Sequence, residues 1–418
     1  MNATRALAPR LAMLVALACG CASHAPRYAA RPGDGPEIRV LVDNGGGATV
    51  SAPGGVQVRA GGAMLLRGDA GVEVRAARRG TTVQVTLSPG GASAAAEGAV
   101  ELAPASGSAL RVSGVPYAGR IRLVPDGASD LLVVNVLSLE RYLEGVVPHE
   151  IGDPGPEGHA AVRAQAIAAR TYAIARMETR REAPFDVHAS VLDQVYRGDA
   201  KRGGLASSAV RETRGQVLAH GGKLCDTYYS ATCGGHTADI RRAWPQRESR
   251  SYLRGRRDRE EASGAAFCSW VRNFRWRQSW SGRELGETLR VTLPRELGVS
   301  AARVGSLVDL RVRERDRTGR VRVLDIETTE GVFRAEGDRI RWVLSPDPSA
   351  GRILPSTMFA VERTMRGGRA AFVSLAGGGN GHGVGMCQNG AIGMARKGYS
   401  HRMILAHYYP GAEIAIRY

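Results

Sequence analysis

Three short segments hold the residues whose types and spacing suit chemistry. In LERYLEGVVPHEIGDPGPEGHAAVRAQAIAA, residues 139–169, a single carboxylate, Glu150, stands in a Pro- and Gly-rich stretch just ahead of an Ala-rich run. A carboxyl held there and partly withdrawn from water has its pKa raised, which suits a general acid near neutral pH. The plainer reading is a Glu that caps the next helix or pairs with one of many Arg side chains. In GHGVGMCQNG, residues 381–390, four glycines surround His382 and Gln388. Glycine admits close approach of backbone or ligand, and His and Gln suit hydrogen bonding to hydroxyl or acetamido groups. A tight structural turn whose His caps a carbonyl is the competing reading. In YYSATCGGHTAD, residues 228–239, Cys233 and His236 have the C-x-x-H spacing of half a zinc site, and Cys268 would supply a third ligand. Against this stands a Cys233–Cys268 disulfide, with His236 lining a groove. No G-x-S-x-G elbow accompanies these segments, so Ser/His/Asp catalysis has no support.

The elements that must position these residues follow from periodicity. Residues 38–42, 55–59, 71–76 and 81–87 alternate apolar with polar side chains between Gly-rich breaks, which predicts short strands. Residues 111–116 and 120–124 continue the pattern, and 131–136 (LLVVNV) predicts a buried strand. Ser138 is placed to cap a helix. Pro148 and Pro154 bracket Glu150 and predict irregular backbone around it. Residues 157–182 give the longest helical pattern, with Ala160, Ala164, Ile167, Thr171 and Ile174 on one face and Arg163, Arg170 and Arg176 elsewhere. Residues 244–280 are Arg-rich and irregular. Beyond them the pattern predicts a short helix at 283–289, a hairpin of 307–318 with 320–327 and a helix at 337–344. Strands at 358–363 and 371–375 follow, then helices at 391–397 and 400–408. Strands and helices are intermixed without a βαβ rhythm, so the fold class is α+β. A β-rich part at 37–130 joins a mixed core at 131–418 that carries the groove.

Composition sets outer limits. The chain has 418 residues, 43% of them hydrophobic, and a formal net charge of +17. Nearly all its positive charge is Arg, scattered and without a nucleic-acid motif, so nucleic acid is not an expected partner. Arg5 and Arg10 precede a short apolar run at 11–18, the form of an export signal over residues 1–21, too short to cross a bilayer. Cys19 and Cys21 follow at once. They leave two readings open, a lipid anchor on one of them or ordinary signal cleavage. Either way the protein is expected in the periplasm or cell envelope, touching a membrane only through that lipid. Residues 22–36 read as a flexible tether. Cys225, Cys233, Cys268 and Cys387 lie in the exported part, where thiols pair more often than they bind metal. At least one disulfide is expected to tie the 381–390 loop or the Arg-rich segment to the 225–233 stretch.

Taken in order, LSLERYLEGVVPHEI, AVRAQAIAARTYA, YYSATCGGHT, LPSTMF and GHGVGMCQNGAIGMARKGYSHRMILAHYYPG resemble the stage II sporulation protein D (SpoIID) and amidase-enhancer LytB family. The resemblance runs from about residue 37 to the C-terminus. It implies a SpoIID-like fold and a lytic transglycosylase that cuts peptidoglycan glycan strands, with Glu150 in the position of the catalytic glutamate. Family members often read Glu-Met-Pro there, whereas this chain reads Glu150-Ile151-Gly152. The resemblance further implies His236, His382 and Gln388 as groups that orient the sugar. No cofactor is required by it, although zinc is associated with some members through cysteine and histidine near Cys233–His236. The family also contains amidase enhancers, so a non-catalytic, glycan-binding partner of a cell-wall amidase is the alternative.

Overall fold

Alternation produces the first layer pair. In the strand Thr82–Ser88, Val83, Val85 and Leu87 are buried while the residues between them are not, as expected of a sheet packed on one face. The computed structural model describes residues 35–127 and 130–418; the export segment 1–21 and residues 22–34 of the tether lie outside the described residues. A seven-stranded sheet runs in the order Val187–His188, Glu37–Gly45, Asp130–Ser138, Arg120–Asp126, Val100–Pro104, Val56–Ala60, Ala63–Gly68. A six-stranded sheet runs Val115–Tyr117, Leu110–Val112, Gly47–Ala52, Val72–Arg79, Thr82–Ser88, Ser93–Glu97. Their facing side chains share one core, with Val40, Val58, Leu102 and Leu123 meeting Val50, Val74 and Val85. The expected strand 111–116 is instead a hairpin of two short strands, because Ser113-Gly114 adopts positive φ and reverses the chain.

The apolar run at Asp130–Ser138 is buried on both faces. Leu131, Val133 and Leu137 join the sandwich core, while Leu132, Val134 and Val136 face Leu41, Val124 and Phe185. This strand leads directly into the helix Leu139–Glu150. Ser138 is its N-cap residue, yet its hydroxyl makes no capping bond, and Leu139 N–H donates to Pro36 O at 2.8 Å. The helix continues through Pro148, contrary to the irregular backbone expected there. Pro148 lacks the N–H that would donate to Glu144 O, and Ile151 N–H still donates to Val147 O at 3.1 Å to close the last turn.

The Ala-rich helix His159–Thr179 is buried nearly all round. Its alanines let Leu139–Glu150, Gly204–Glu212, Gln388–Arg396, His401–Tyr408 and the strand Gln216–His220 pack against it. Arg170, which lies off the Ala/Ile face, is fully buried and held by Glu140 in a bidentate pair. A second core lies within residues 280–375. Around it pack the helix Gly282–Leu297, the three-stranded sheet Arg275–Ser281, Arg369–Gly378, Phe359–Arg366 and the sheet Leu307–Arg315, Val321–Thr328, Gly331–Glu336. The long helix starts in a capping box of Ser281 with Glu284 and stops at left-handed Gly298, so it is longer than the short segment expected. The mixed sheets and helices make the class α+β, as the sequence indicated.

Candidate active site

Between the helical core and the second unit lies a cavity of about 620 Å³. Glu150 lies at its wall as the last residue of its helix. Its Oε1 accepts from Val195 N–H at 2.7 Å and its Oε2 from the Gln388 amide at 3.4 Å. Burial pushes its carboxyl above the ordinary range, against the lowering effect of those two donors. The negative end of the helix also disfavours its ionised form.

Two other carboxylates line the cavity, and both are neutralised. Asp193 accepts from Tyr172 OH at 2.7 Å and pairs with Arg180 at 2.8 Å. Asp338 pairs with Arg341 at 3.1 Å. Glu150 makes no ion pair with any described residue. The loop that offers Val195 N–H is fixed by its own neighbours. Gln194 accepts from Tyr142 OH at 3.1 Å and donates to Tyr229 OH at 2.8 Å, and Tyr196 OH donates to Asn135 at 2.8 Å.

Gln388 begins the helix Gln388–Arg396, one residue beyond the two-residue parallel pairing of Tyr229–Ser230 with Met386–Cys387. Gly385 makes that pairing possible, since its φ is +72° and a Cβ would fall 2.0 Å from Tyr228 O. The Gln388 amide also reaches Gln165 Oε1 at 3.4 Å. His382 lines the cavity, but both ring nitrogens are occupied. Val384 N–H donates to Nδ1 at 3.0 Å, which places the proton on Nε2, and Nε2 lies 2.9 Å from Tyr229 O. Burial pushes its pKa down to about 4, so the neutral ring offers its face and edge beside Trp244, 4.9 Å away, rather than a free nitrogen.

His236 is not part of this wall. Its Nδ1 lies 2.8 Å from the Thr237 carbonyl, and it does not line the cavity. Nor does it complete a ligand set with Cys233 and Cys268. The C-x-x-H spacing misled because the ring turns back to its own strand, and the groups that gather around Cys233 are Cys268, Cys387 and Asp258, all buried. All four cysteines at 225, 233, 268 and 387 are free, so the expected disulfide is absent among the described residues. The Cys233 and Cys268 sulfurs stand 3.7 Å apart, well beyond a disulfide bond of about 2.05 Å. The 381–390 loop and the Arg-rich segment both bring a thiol to Cys233, without the expected bond. Sequence reasoning passed over Tyr172, Trp244, Arg341 and the Val195 N–H. Only the aromatic residues near 228–244 offered a signal for any of them.

Comparison with known proteins agrees with the motif order. The family model of the stage II sporulation protein, SpoIID, matches residues 128–220, which contain Glu150 and the Ala-rich helix. A domain of unknown function, DUF8618, matches residues 261–385, which include the second core. An uncharacterized protein of Brachyspira hyodysenteriae is 32% identical over 309 residues, covering 72% of this chain and 73% of that protein. The amidase enhancer of Bacillus subtilis is 26% identical over 296 residues, covering 65% of this chain and 40% of that protein. The chain belongs to the SpoIID/LytB family.

Proposed function

We propose that the protein is an exported lytic transglycosylase acting on the glycan strands of peptidoglycan, with Glu150 as its one acid/base group. The observation that carries this reading is the state of the three cavity carboxylates. Asp193 and Asp338 are bound to arginines, and Glu150 alone is unpaired, sheltered and raised in pKa. A paired-carboxylate hydrolase needs a second free acid across the bond. A transglycosylase does not. Protonated Glu150 donates to the glycosidic oxygen, the C1–O bond breaks, and positive charge develops at C1. The sugar's own C6 hydroxyl then attacks C1, and the Glu150 carboxylate takes the hydroxyl proton. One C–O bond forms and one breaks, no water is consumed, and a 1,6-anhydro end results. Tyr172, Tyr228, Trp244 and Trp342 line the cavity and supply flat apolar faces of the kind that pack on sugar rings. Gln388 and Val195 N–H hold the carboxyl in place.

The test is digestion of glycan strands stripped of stem peptides, with products read by mass spectrometry. Wild type is expected to leave anhydro-muramyl ends and Glu150→Gln to leave none. Equal cleavage by the variant would sink the assignment. A second reading rests on the likeness to the Bacillus amidase enhancer: a glycan-binding protein that stimulates a cell-wall amidase without cutting. Stimulation of an amidase that survives Glu150→Gln, with no anhydro ends from wild type, would favour it. Both readings place the protein outside the cytoplasm, which the 1–21 segment would direct, with lipid attachment at Cys19 or Cys21 as one means of retention.

A further inference from the structure

The three thiols and one carboxylate that meet behind the cavity are disposed as metal ligands. One ligand atom from each of Cys233, Asp258, Cys268 and Cys387 lies within 4.8 Å of all the others. A tetrahedral zinc with Zn–S bonds of about 2.3 Å separates neighbouring sulfurs by about 3.8 Å. The Cys233 and Cys268 sulfurs are 3.7 Å apart, so they fit that edge without movement. Asp258 Oδ2 is 2.9 Å from Cys233 Sγ and must withdraw by about half an ångström to reach the corresponding S–O edge.

The surroundings match a thiolate cluster. Gly235 N–H donates to Cys233 Sγ at 3.3 Å, and Gly390 N–H and Cys233 N–H donate to Cys387 Sγ at 3.2 Å each. Such backbone donors stabilise negative sulfur. The remaining oxygen of Asp258 accepts from Tyr408 OH at 2.9 Å and lies 3.1 Å from His407 Nε2, the kind of outer partner that orients a ligating carboxylate. Gly390 leaves the room for it, since a Cβ there would fall 2.6 Å from Asp258 Oδ2 and 2.2 Å from Tyr408 OH. The guanidinium of Arg320, fully sheltered, donates to Cys233 O at 2.8 Å and brings positive charge beside the group.

We propose that Cys233, Asp258, Cys268 and Cys387 bind one zinc ion in a closed, four-ligand structural site that pins the start of the helix carrying Gln388. Soft thiolates select zinc over magnesium or calcium, and four protein ligands leave no open position for chemistry. The ion would join three stretches far apart in sequence. Its bearing on Glu150, through Gln388 next to Cys387, rests on the function proposed above; the metal itself does not.

The test uses the full chain purified without chelator and analysed for metals by mass spectrometry. About one zinc per chain is expected, retained in His236→Ala and lost in Cys268→Ser and Asp258→Asn. Tyr408→Phe should weaken zinc about 10- to 100-fold, as removal of an outer partner does. Should the ligand variants fail to fold, wild type suffices. Titration with a mercurial reagent should release the zinc in step with modification of three thiols. Protein grown with ample zinc that carries none, a copper-only load, a Cys233–Cys268 disulfide in the intact mass, or zinc lost on His236→Ala would each overturn the proposal. Zinc content is read without any glycan assay, so this proposal and the reading of Glu150 fail separately.

Discussion

Arg170→Met should unfold the protein far more readily than any surface Arg replacement. Arg170 is fully buried. Its Nε and Nη2 donate to the two Glu140 oxygens at 2.7 and 2.8 Å, and the same guanidinium reaches Val210 O at 3.1 Å and Gln216 O at 3.2 Å. Removing it strands the Glu140 carboxylate, which costs about 3–5 kcal/mol when a buried pair loses one partner. The double variant Arg170→Met/Glu140→Leu removes the stranded charge. It leaves the Val210 and Gln216 carbonyls and Tyr418 OH without their partners, at about 1 kcal/mol each. Apolar packing offsets part of that, so the double variant should lose about 2 kcal/mol, less than Arg170→Met alone. Urea unfolding followed by tryptophan fluorescence and circular dichroism measures both. A single-variant loss below about 1 kcal/mol, or a double variant worse than the sum of its parts, would refute the reasoning. The pair also matters to the site. Glu140 opens the helix that ends at Glu150, about 15 Å away along its axis, so loosening one end should blur the placement of the other.

Glu150→Gln should raise the melting temperature relative to wild type as pH increases. A carboxyl whose folded pKa is raised favours the fold while protonated and loses that advantage as pH climbs through the folded value; equal melting curves at pH 5 and pH 8 would contradict this. His382 has the opposite sign. Its pKa is depressed to about 4, so it supports the fold above the ordinary His range near 6.5 and withdraws roughly 2 kcal/mol of stability as pH falls toward 4. His382→Asn should flatten the acid limb of stability against pH, which calorimetry will show. Gly385→Ala forces an L residue to φ +72° and its Cβ against Tyr228 O. It should cost about 1–3 kcal/mol from backbone conformation alone, and it should impair whatever Gln388 supports, read as lost glycan cleavage or amidase stimulation.

The strands of the N-terminal sandwich were legible because each buries one face, as the alternation of Val83, Val85 and Leu87 shows. The central strand was legible for another reason, since both of its faces are covered and its run is continuous. Strands with weak alternation, such as Ser93–Glu97 with its run of alanines, left no comparable mark. The helix through Pro148 was misread because the prolines were taken to break it, whereas the turn closes past Pro148 through the bond from Ile151 N–H to Val147 O. The burial of Arg170 was not legible, because its helix is surrounded by other elements. Glu150, His382 and Gln388 were singled out by local residue pattern, and the structure brings all three to one cavity. Of the partners of Cys233, Cys268 was named from the sequence, whereas Asp258 was not legible. Asp258 and Cys268 come from the Arg-rich segment and Cys387 from the 381–390 loop, and the spacing that looked like a ligand pair belonged to a ring bound to its neighbouring carbonyl.

The surroundings of Glu150 oppose one another in their effect on its proton. In the proposed mechanism Glu150 first gives a proton and then takes one, so it must be stable in both forms near the same pH. Burial and the helix end favour the acid; Val195 N–H and the Gln388 amide favour the carboxylate. An arginine in the position that Arg341 holds beside Asp338 would abolish that balance by fixing the carboxylate. The chain carries 57 Lys and Arg residues, and those lining this cavity include Arg176 and Arg341, each turned toward a different acid. Their pairing with Asp193 and Asp338 keeps the charge of the cavity near neutral while leaving Glu150 free to titrate. On this account the two aspartates are positioning residues. Replacing Asp338 with Asn would release Arg341, bring a free cation into the cavity and lower the Glu150 pKa; with protonated Glu150 as the proposed acid, the alkaline limb of the activity profile would shift to lower pH.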